Sequence, residues 1–143
     1  MKITICNSAK FFSEALDAKG RLEGLGHTAF THPMRVVFRG KEVPVEEYYD
    51  ARKAEWDEEI ERLKEKLMKD HFDKINGSDA VLVLNLDKDG VKNYIGGNSL
   101  IEIGLAFALR KKIFLLNDVP DLPYAEEIRG MRPVVLGGDL GRI

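Results

Sequence analysis

One short apolar run constrains the fold of this chain more than any other feature of its sequence. Asp79–Leu86 reads DAVLVLNL and is almost continuously apolar, as expected of a parallel strand buried on both faces. A polar loop follows, and the stretch after Gly96-Gly97 has helical character up to Leu109. Lys112–Asn117 predicts a second buried strand. The segment therefore predicts strand, loop, helix and strand, which together form one right-handed crossover unit.

Glu102 is the residue that fits the predicted helix least, because the residues around it are apolar on nearly all sides. Asn98 or Ser99 is the expected N-cap, which places Glu102 in the first turns. Asn98 and Ala106, one turn away on either side, offer it no cation. Two interpretations stand. Glu102 completes a capping box at the helix start, or it projects into the cleft where open parallel sheets bind ligands.

Three further stretches complete the predicted sheet. Lys2–Cys6 is the expected first strand, His27–His32 the second and Pro133–Leu136 the last. The predicted fold class is α/β, a flavodoxin-like open five-stranded parallel sheet of order 2-1-3-4-5 with helices on both faces. We expect residues 1–143 to form a single domain with an insertion at about 33–45. This strand order brings the loop after the first strand and the loop after the third to one edge.

The region between the second and third strands carries two open interpretations. Val36–Phe38 and the residues after it predict either a small hairpin or an extended excursion, acting as a lid, a subunit contact or a solvated insertion. From Glu46 to about Ile75 the pattern predicts one long helix, whose apolar stripe includes Trp56, Ile60 and Leu63. That stripe either packs within its own chain or pairs two subunits. We expect a homodimer or a higher homo-oligomer.

Composition narrows the range of partners. A net charge of −2 and a pI near 6.0 give no basic footprint, so a small molecule is a more natural partner than a nucleic-acid polymer. Cys6 is the only cysteine, which excludes an internal disulfide and fits a reducing compartment. No apolar run reaches membrane-spanning length, so we expect a cytoplasmic protein without membrane contact. The sequence has no metal-ligand cluster, and we predict no metal and no cofactor.

The loop that follows the first strand is a candidate binding element. Asn7-Ser8-Ala9-Lys10 precedes a predicted helix, so its backbone N–H groups can hold a phosphate or another oxyanion. A simple N-cap explains the same residues equally well.

The stretch from Gly97 to Leu109, followed by Lys111-Lys112-Ile113, resembles the signature of the nucleoside 2-deoxyribosyltransferase superfamily, which includes 2′-deoxynucleoside 5′-phosphate N-hydrolases. In that family a Gly-containing loop leads to a glutamate nucleophile, and Glu102 matches that position. The resemblance implies hydrolysis or transfer at the N-glycosidic bond of a nucleoside or a nucleoside 5′-monophosphate. Glycosidic cleavage of this kind passes through an oxocarbenium-like transition state that a nearby carboxylate stabilises.

The resemblance also implies a set of binding residues around Glu102. The substrate-binding candidates lie in the loops at the predicted edge: Asn7, Ser8, Lys10, Phe11, Asn85, Asp87, Gly97, Asn98 and Asn117. The accessory candidates are Asp70, His71, Asp89 and Tyr94. The chain departs from the family in two ways. Family transferases often carry a tyrosine in the loop after the first strand, whereas here Phe11 and Phe12 lie nearby and have no hydroxyl. The family's base-contacting acid lies shortly before its Gly loop, where this chain has Gly96, and Asp87 or Asp89 is the expected substitute.

Two other functions compete with an enzyme. A non-catalytic module that binds or senses a nucleotide through the same cleft is favoured by the missing tyrosine and opposed by the glutamate in an apolar helix. A flavin-binding electron carrier would need an aromatic sandwich, and Tyr94 is the only aromatic residue of the cleft loops.

Overall fold

The computed structural model describes residues 1–143. Seven strands occur in the order β1 (Lys2–Cys6), β2 (Thr28–Phe30), β3 (Arg35–Phe38), β4 (Lys41–Pro44), β5 (Ala80–Val83), β6 (Lys112–Leu115) and β7 (Val134–Val135). Five α-helices accompany them: α1 (Phe12–Gly24), α2 (Val45–Ala54), α3 (Glu58–Asn76), α4 (Gly97–Ala108) and α5 (Ala125–Gly130). Short 3-10 turns occur at Ala9–Phe11 and Leu140–Arg142. None of the helices has both the length and the apolar character needed to cross a membrane.

The chain divides into two compact units, and the larger one comprises Met1–Thr31 and Lys74–Ile143. It contains a five-stranded parallel sheet of order β2-β1-β5-β6-β7, flanked by helices. In order of appearance these are the predicted strands 2-1-3-4-5, so the predicted flavodoxin-like topology is confirmed. The first strand has its predicted bounds, and the other four are shorter than predicted because the residues at one or both of their ends belong to the connecting loops.

The central strands owe their position to their composition. All four residues of β5 are buried, as are the last four residues of β1, so both strands are covered on both faces. Ile3, Ile5, Leu82, Leu84 and Phe114 belong to the core that α1 closes from one side. Since parallel strands end at the same edge of a sheet, this core also places the loops after β1, β5 and β6 side by side.

The smaller unit, His32–Asp73, begins with an antiparallel hairpin of β3 and β4. Arg39 and Gly40 form its turn with φ values of 53° and 78°, which is the backbone of a tight two-residue hairpin. Of the two predicted alternatives, the hairpin is therefore the one that forms. Val36 and Phe38 are buried, whereas Val37 between them is 70% exposed, as the two-residue period of a strand requires.

The prediction of one long helix from Glu46 to about Ile75 is wrong. The chain leaves helical geometry after Ala54 and resumes it at Glu58, because Asp57 caps the new helix by accepting a hydrogen bond from the Ile60 N–H at 2.9 Å. Trp56 lies in the break and is 55% exposed. Ile60 is fully buried and Leu63 nearly so, so the apolar stripe considered for subunit pairing is largely covered in the single chain. The homo-oligomer stays a prediction.

Replacing Asp57 with alanine should destabilise the protein at neutral pH. The Ile60 N–H, followed by the Arg39 guanidinium 3.2 Å away, lowers the pKa of the Asp57 carboxyl below its usual 3.8. A lowered folded-state pKa contributes stability above the unfolded value, and that contribution is lost as the pH falls through the folded value. Urea unfolding should therefore show a difference between wild type and Asp57→Ala that shrinks at acid pH.

The matched control for this test is Asp50→Ala, which removes an exposed carboxylate of α2 that has no hydrogen-bond or ion-pair partner. An equal loss of stability in both variants would mean that Asp57 is not a specific cap.

Candidate active site

The loops at the carboxyl edge of the parallel sheet come together around the start of α4. The hydrogen bonds from Leu84 N to Cys6 O and from Leu116 N to Val83 O extend the strand pairing just past β5 and β6. Beyond these points the loops leave the sheet. The sequence predicted that the loops after β1 and β5 share one edge, and a side-chain hydrogen bond between Ser8 and Lys88 joins them.

Glu102 is buried on α4 with 1% of its surface exposed. The helix begins at Gly97 after an extended Gly96, without a side-chain cap, so the prediction that Asn98 or Ser99 is the N-cap is wrong. Because of this earlier start, Glu102 is the sixth helical residue, beyond the third position that a capping-box glutamate occupies. Instead, Asn98 Nδ2 donates a hydrogen bond to Glu102 Oε1 at 2.8 Å.

Cys6 lies beside Glu102, which sequence reasoning did not anticipate. Cys6 is the last residue of β1 and is fully buried, and its Sγ lies within 4.8 Å of a Glu102 carboxylate oxygen. Burial raises the pKa of the Cys6 thiol well above its usual 9.0, and the negative charge and hydrogen bonding of Glu102 raise it further. The thiol is therefore protonated at neutral pH and suited to donate to the carboxylate, not to act as a nucleophile.

The buried thiol should leave a signature in the pH dependence of stability. The unfolded chain releases the thiol proton near pH 9.0, whereas the folded chain retains it. The free energy of unfolding should therefore fall above that pH, by up to about 1.4 kcal/mol per pH unit from this group. Urea unfolding of wild type and Cys6→Ala across this range should give curves that diverge as the pH rises. Parallel curves would show that the thiol ionises equally in both states.

A group of charged and polar side chains lies at the other side of the same edge. Lys88 Nζ donates to Ser8 Oγ at 2.9 Å, and Lys10 Nζ lies 3.9 Å from Asp89 Oδ1 at an exposed position. Asn7 is 95% buried, and its amide donates to Ser8 O at 2.8 Å. Its Oδ1 is buried without a hydrogen-bond partner, which is an uncommon state for an amide oxygen. This corner therefore holds two lysines, a hydroxyl and an amide around the start of α1.

The loop between β5 and α4 is held by its own turns. Asp87 Oδ1 accepts from Asn93 N at 2.9 Å, so this carboxylate fixes the loop in addition to facing solvent. The ring of Tyr94 lies 4.9 Å from Lys88 Nζ on one side. On the other side it approaches Gly96 so closely that a Cβ there would meet the Tyr94 hydroxyl at 3.0 Å. A larger residue at position 96 would therefore have to displace the Tyr94 ring by a few tenths of an ångström, next to the start of α4 at Gly97.

Asn85 and Asn117 were predicted as substrate-binding residues, and the structure shows them bonded to each other. Asn85 Nδ2 donates to the carbonyls of Asn117 and Asp118, and Asn85 Oδ1 accepts from Asn117 N, all at 2.9 Å. Asn117 Nδ2 donates to Asn85 O at 3.2 Å. Asn85 is completely buried, and both polar atoms of its side chain are occupied. A role in binding substrate stays a prediction for both residues.

The remaining predicted residues divide between the two units. Phe11 follows the Ser8 loop but is only 4% exposed, so its ring is buried within the protein. In the smaller unit, Asp70 forms a surface ion pair with Lys66 at 2.5 Å. His71 is 99% buried and stacks on His32 with ring centroids 3.7 Å apart, and its accessory role stays a prediction.

Two neighbours of the site were not among the predicted site residues. Lys88 lies between Asp87 and Asp89, which had both been singled out, so its place in the loop was the available signal. Tyr124 donates its hydroxyl hydrogen bond to Ile95 O, and burial together with nearby Tyr94 raises the pKa of the Tyr124 hydroxyl. This contact joins the loop after β6 to the loop that leads into α4.

Comparison with known proteins supports the fold. No family profile matches the sequence, and no curated protein does. Among solved structures, the 2-deoxyribosyltransferase of Bacillus psychrosaccharolyticus has 18% identity and a TM-score of 0.50, covering 80% of this chain and 71% of that one. The CMP N-glycosidase of Clostridium botulinum has 19% identity and a TM-score of 0.51, covering 94% and 84%. The chain therefore has the same fold as these two enzymes.

Proposed function

We propose that this protein cleaves the N-glycosidic bond of a nucleoside or nucleoside 5′-monophosphate, with Glu102 as the nucleophile. The observation that carries the proposal is the burial of this carboxylate at the carboxyl edge of a parallel sheet, where such sheets bind ligands. Burying a carboxylate in an apolar helix costs stability, so a function that needs the carboxylate explains its presence better than folding does. The fold shared with a deoxyribosyltransferase and an N-glycosidase supports the same chemistry.

The reaction requires a carboxylate held in a fixed position. An oxygen of Glu102 would form a bond to the anomeric carbon while the bond from that carbon to the base nitrogen breaks and the base leaves with the electron pair. Asn98 holds Oε1 at 2.8 Å, which limits the rotation of the carboxylate. Water then attacks the anomeric carbon to complete hydrolysis, or a second base attacks it to complete transfer.

The corner formed by Ser8, Lys10 and Lys88 is suited to a 5′-phosphate. Both lysines are cations, and Lys88 already donates to the Ser8 hydroxyl, so a phosphate would find a lysine and a hydroxyl in one place. The N–H groups at the start of the 3-10 turn and α1 add donors for the same oxyanion.

Protonation of the leaving base is assigned to Asp87 or Asp89. Asp87 also supports the loop through Asn93, and Asp89 is exposed beside Lys10.

Removing the Glu102 carboxylate should abolish base release. Glu102→Gln keeps the side-chain volume and the contact with Asn98 but removes the nucleophile, so we expect a rate loss of about a thousandfold or more. The measurement is release of free base from a panel of nucleosides and 5′-monophosphates. Glu59→Gln, at an exposed position of α3, is the matched control and should retain the wild-type rate. Equal rates for wild type and Glu102→Gln would exclude the assignment.

The phosphate corner should discriminate between substrates. Replacing Ser8 and Lys88 together with alanine should weaken binding of a 5′-monophosphate by about 1–3 kcal/mol for each charged hydrogen bond lost. Binding of the corresponding free nucleoside should change little, because it has no phosphate. Calorimetric titration of both ligands measures the difference, and Lys92→Ala, an exposed lysine of the same loop, is the control. An equal loss for both ligands would show that this corner binds the sugar or only supports the loop.

A non-catalytic nucleotide-binding module is the second candidate, and two observations favour it. Phe11 is buried and has no hydroxyl with which to position a nucleophile, and Asp87 is engaged with Asn93. In that case wild type would bind 5′-monophosphates and release no base from any member of the panel.

A further inference from the structure

A pocket lies at the amino end of the parallel sheet, where strands β6 and β7 begin. It is an open groove of about 620 Å³, bounded by the turn from α4 into β6 and the turn from α5 into β7. The candidate active site lies at the carboxyl ends of the strands, whereas this groove lies at their amino ends. The two sites therefore share no residue.

The charged side chains that line the groove are all cationic. Arg110, Lys111, Lys112 and Arg132 contribute four positive charges, and no carboxylate lines the groove. Lys111 Nζ donates to Asn76 O at 2.8 Å, whereas Arg110, Lys112 and Arg132 form no ion pair and no side-chain hydrogen bond. Lys112 begins β6 and Arg132 lies two residues before β7, so both cations lie at the amino end of this strand pair. Like charges held together without a counter-ion repel one another, and an anion would relieve that repulsion.

The two arginines occupy a conformation that does not suit them. Arg110 and Arg132 have φ values of 57° and 53°, and each follows the cap residue of a helix, where glycine is the preferred residue. The helix dipole favours a cation anywhere in the last turn, but it does not require one at the left-handed position. Both turns that border the groove have an arginine in a left-handed conformation that glycine would adopt without strain. This repetition points to a shared role for the two guanidinium groups.

The other side chains of the groove are apolar. Phe107 and Val134 are 52% and 51% exposed, and Ile113 and Met131 complete this surface. A volume of several hundred Å³ fits a small organic molecule, and guanidinium groups bind phosphate through two parallel hydrogen bonds. We propose that the groove binds a small amphiphilic anion, with a phosphate group on Arg110, Lys112 and Arg132 and an aromatic or aliphatic group on Phe107 and Val134.

The test uses 1-naphthyl phosphate as the probe, titrated into the full chain by calorimetry. Arg110→Gly combined with Arg132→Gly should weaken binding about tenfold or more, since two charged contacts are lost. Glycine also relieves the left-handed backbone, so the melting temperature should stay the same or rise. Arg110→Lys with Arg132→Lys keeps the charges and should retain most of the affinity. Arg21→Ala, an exposed arginine of α1, is the charge control.

Further measurements distinguish binding in this groove from binding at the carboxyl edge and from an interface between copies of the chain. Inorganic phosphate and 1-naphthol should each bind more weakly than 1-naphthyl phosphate, because each lacks one half of the ligand. Ser8→Ala with Lys88→Ala should leave probe binding unchanged, and a loss confined to that variant would place the probe at the carboxyl edge and overturn the proposal. Unchanged affinity in the glycine variant would overturn it as well. Light scattering could also show that the glycine variant dissociates an oligomer while its affinity for the probe stays unchanged. This result would overturn the proposal, because the groove would then be an interface between copies of the chain.

Discussion

The reciprocal hydrogen bonds between Asn85 and Asn117 hold the part of the structure on which the candidate site depends. Each asparagine bonds the other's backbone, so the chains leaving β5 and β6 stay together beyond the last strand residues. Asn85 is completely buried, and an unmade hydrogen bond at such a position would cost about 1–3 kcal/mol. The loops that carry Lys88, Tyr94 and Tyr124 therefore both start from the hydrogen-bonded pair of Asn85 and Asn117.

Between Asn85 and α4, side-chain contacts fix the conformation of the loop. Tyr94 packs against Gly96, Tyr124 bonds the Ile95 carbonyl, and the helix begins without help from a side-chain cap. The start of α4 is therefore set by tertiary contacts and not by a local capping signal. This matters for chemistry because it decides which residue of the helix faces β1, and the register puts Glu102 beside Cys6. A shift of one residue would turn the carboxylate by about 100° around the helix axis.

The features that sequence predicted correctly follow from burial. Continuous apolar runs mark β1, β5 and β6 as central strands, and chain order with the crossover rule then determines their arrangement. The unexpected acid in an apolar helix was visible for the same reason. The break before Glu58 was missed because Trp56 continues the apolar spacing across it and because Asp57 is one of several acids in succession. Periodicity detects the faces of helices and is insensitive to a short interruption.

Contacts between distant residues account for most of what sequence could not reveal. Asn85 and Asn117 look like ligands for a substrate when each is considered alone, because polar residues after buried strands often have that role. Only the register of β5 and β6 shows that they satisfy one another. The contact of Lys88 with Ser8 joins residues 80 positions apart and depends on how the intervening loop turns. The proximity of Cys6 to Glu102 likewise requires the orientation of α4 over β1.

The residues with strained backbone in this chain fall into two groups, those that the local structure explains and those that it does not. Five residues other than glycine have positive φ values: Arg39, Asp89, Asn93, Arg110 and Arg132. Arg39 is explained by the hairpin turn, and its guanidinium is engaged by Asp57. Asp89 and Asn93 belong to residue types that tolerate this conformation, and both lie in the loop beside the candidate active site. Arg110 and Arg132 have neither a tolerant side chain nor a protein partner. Backbone strain persists where the surrounding structure holds it and clusters at ligand-binding sites. In this chain, the strain that neither residue type nor a protein contact explains lies at the groove that Arg110 and Arg132 line.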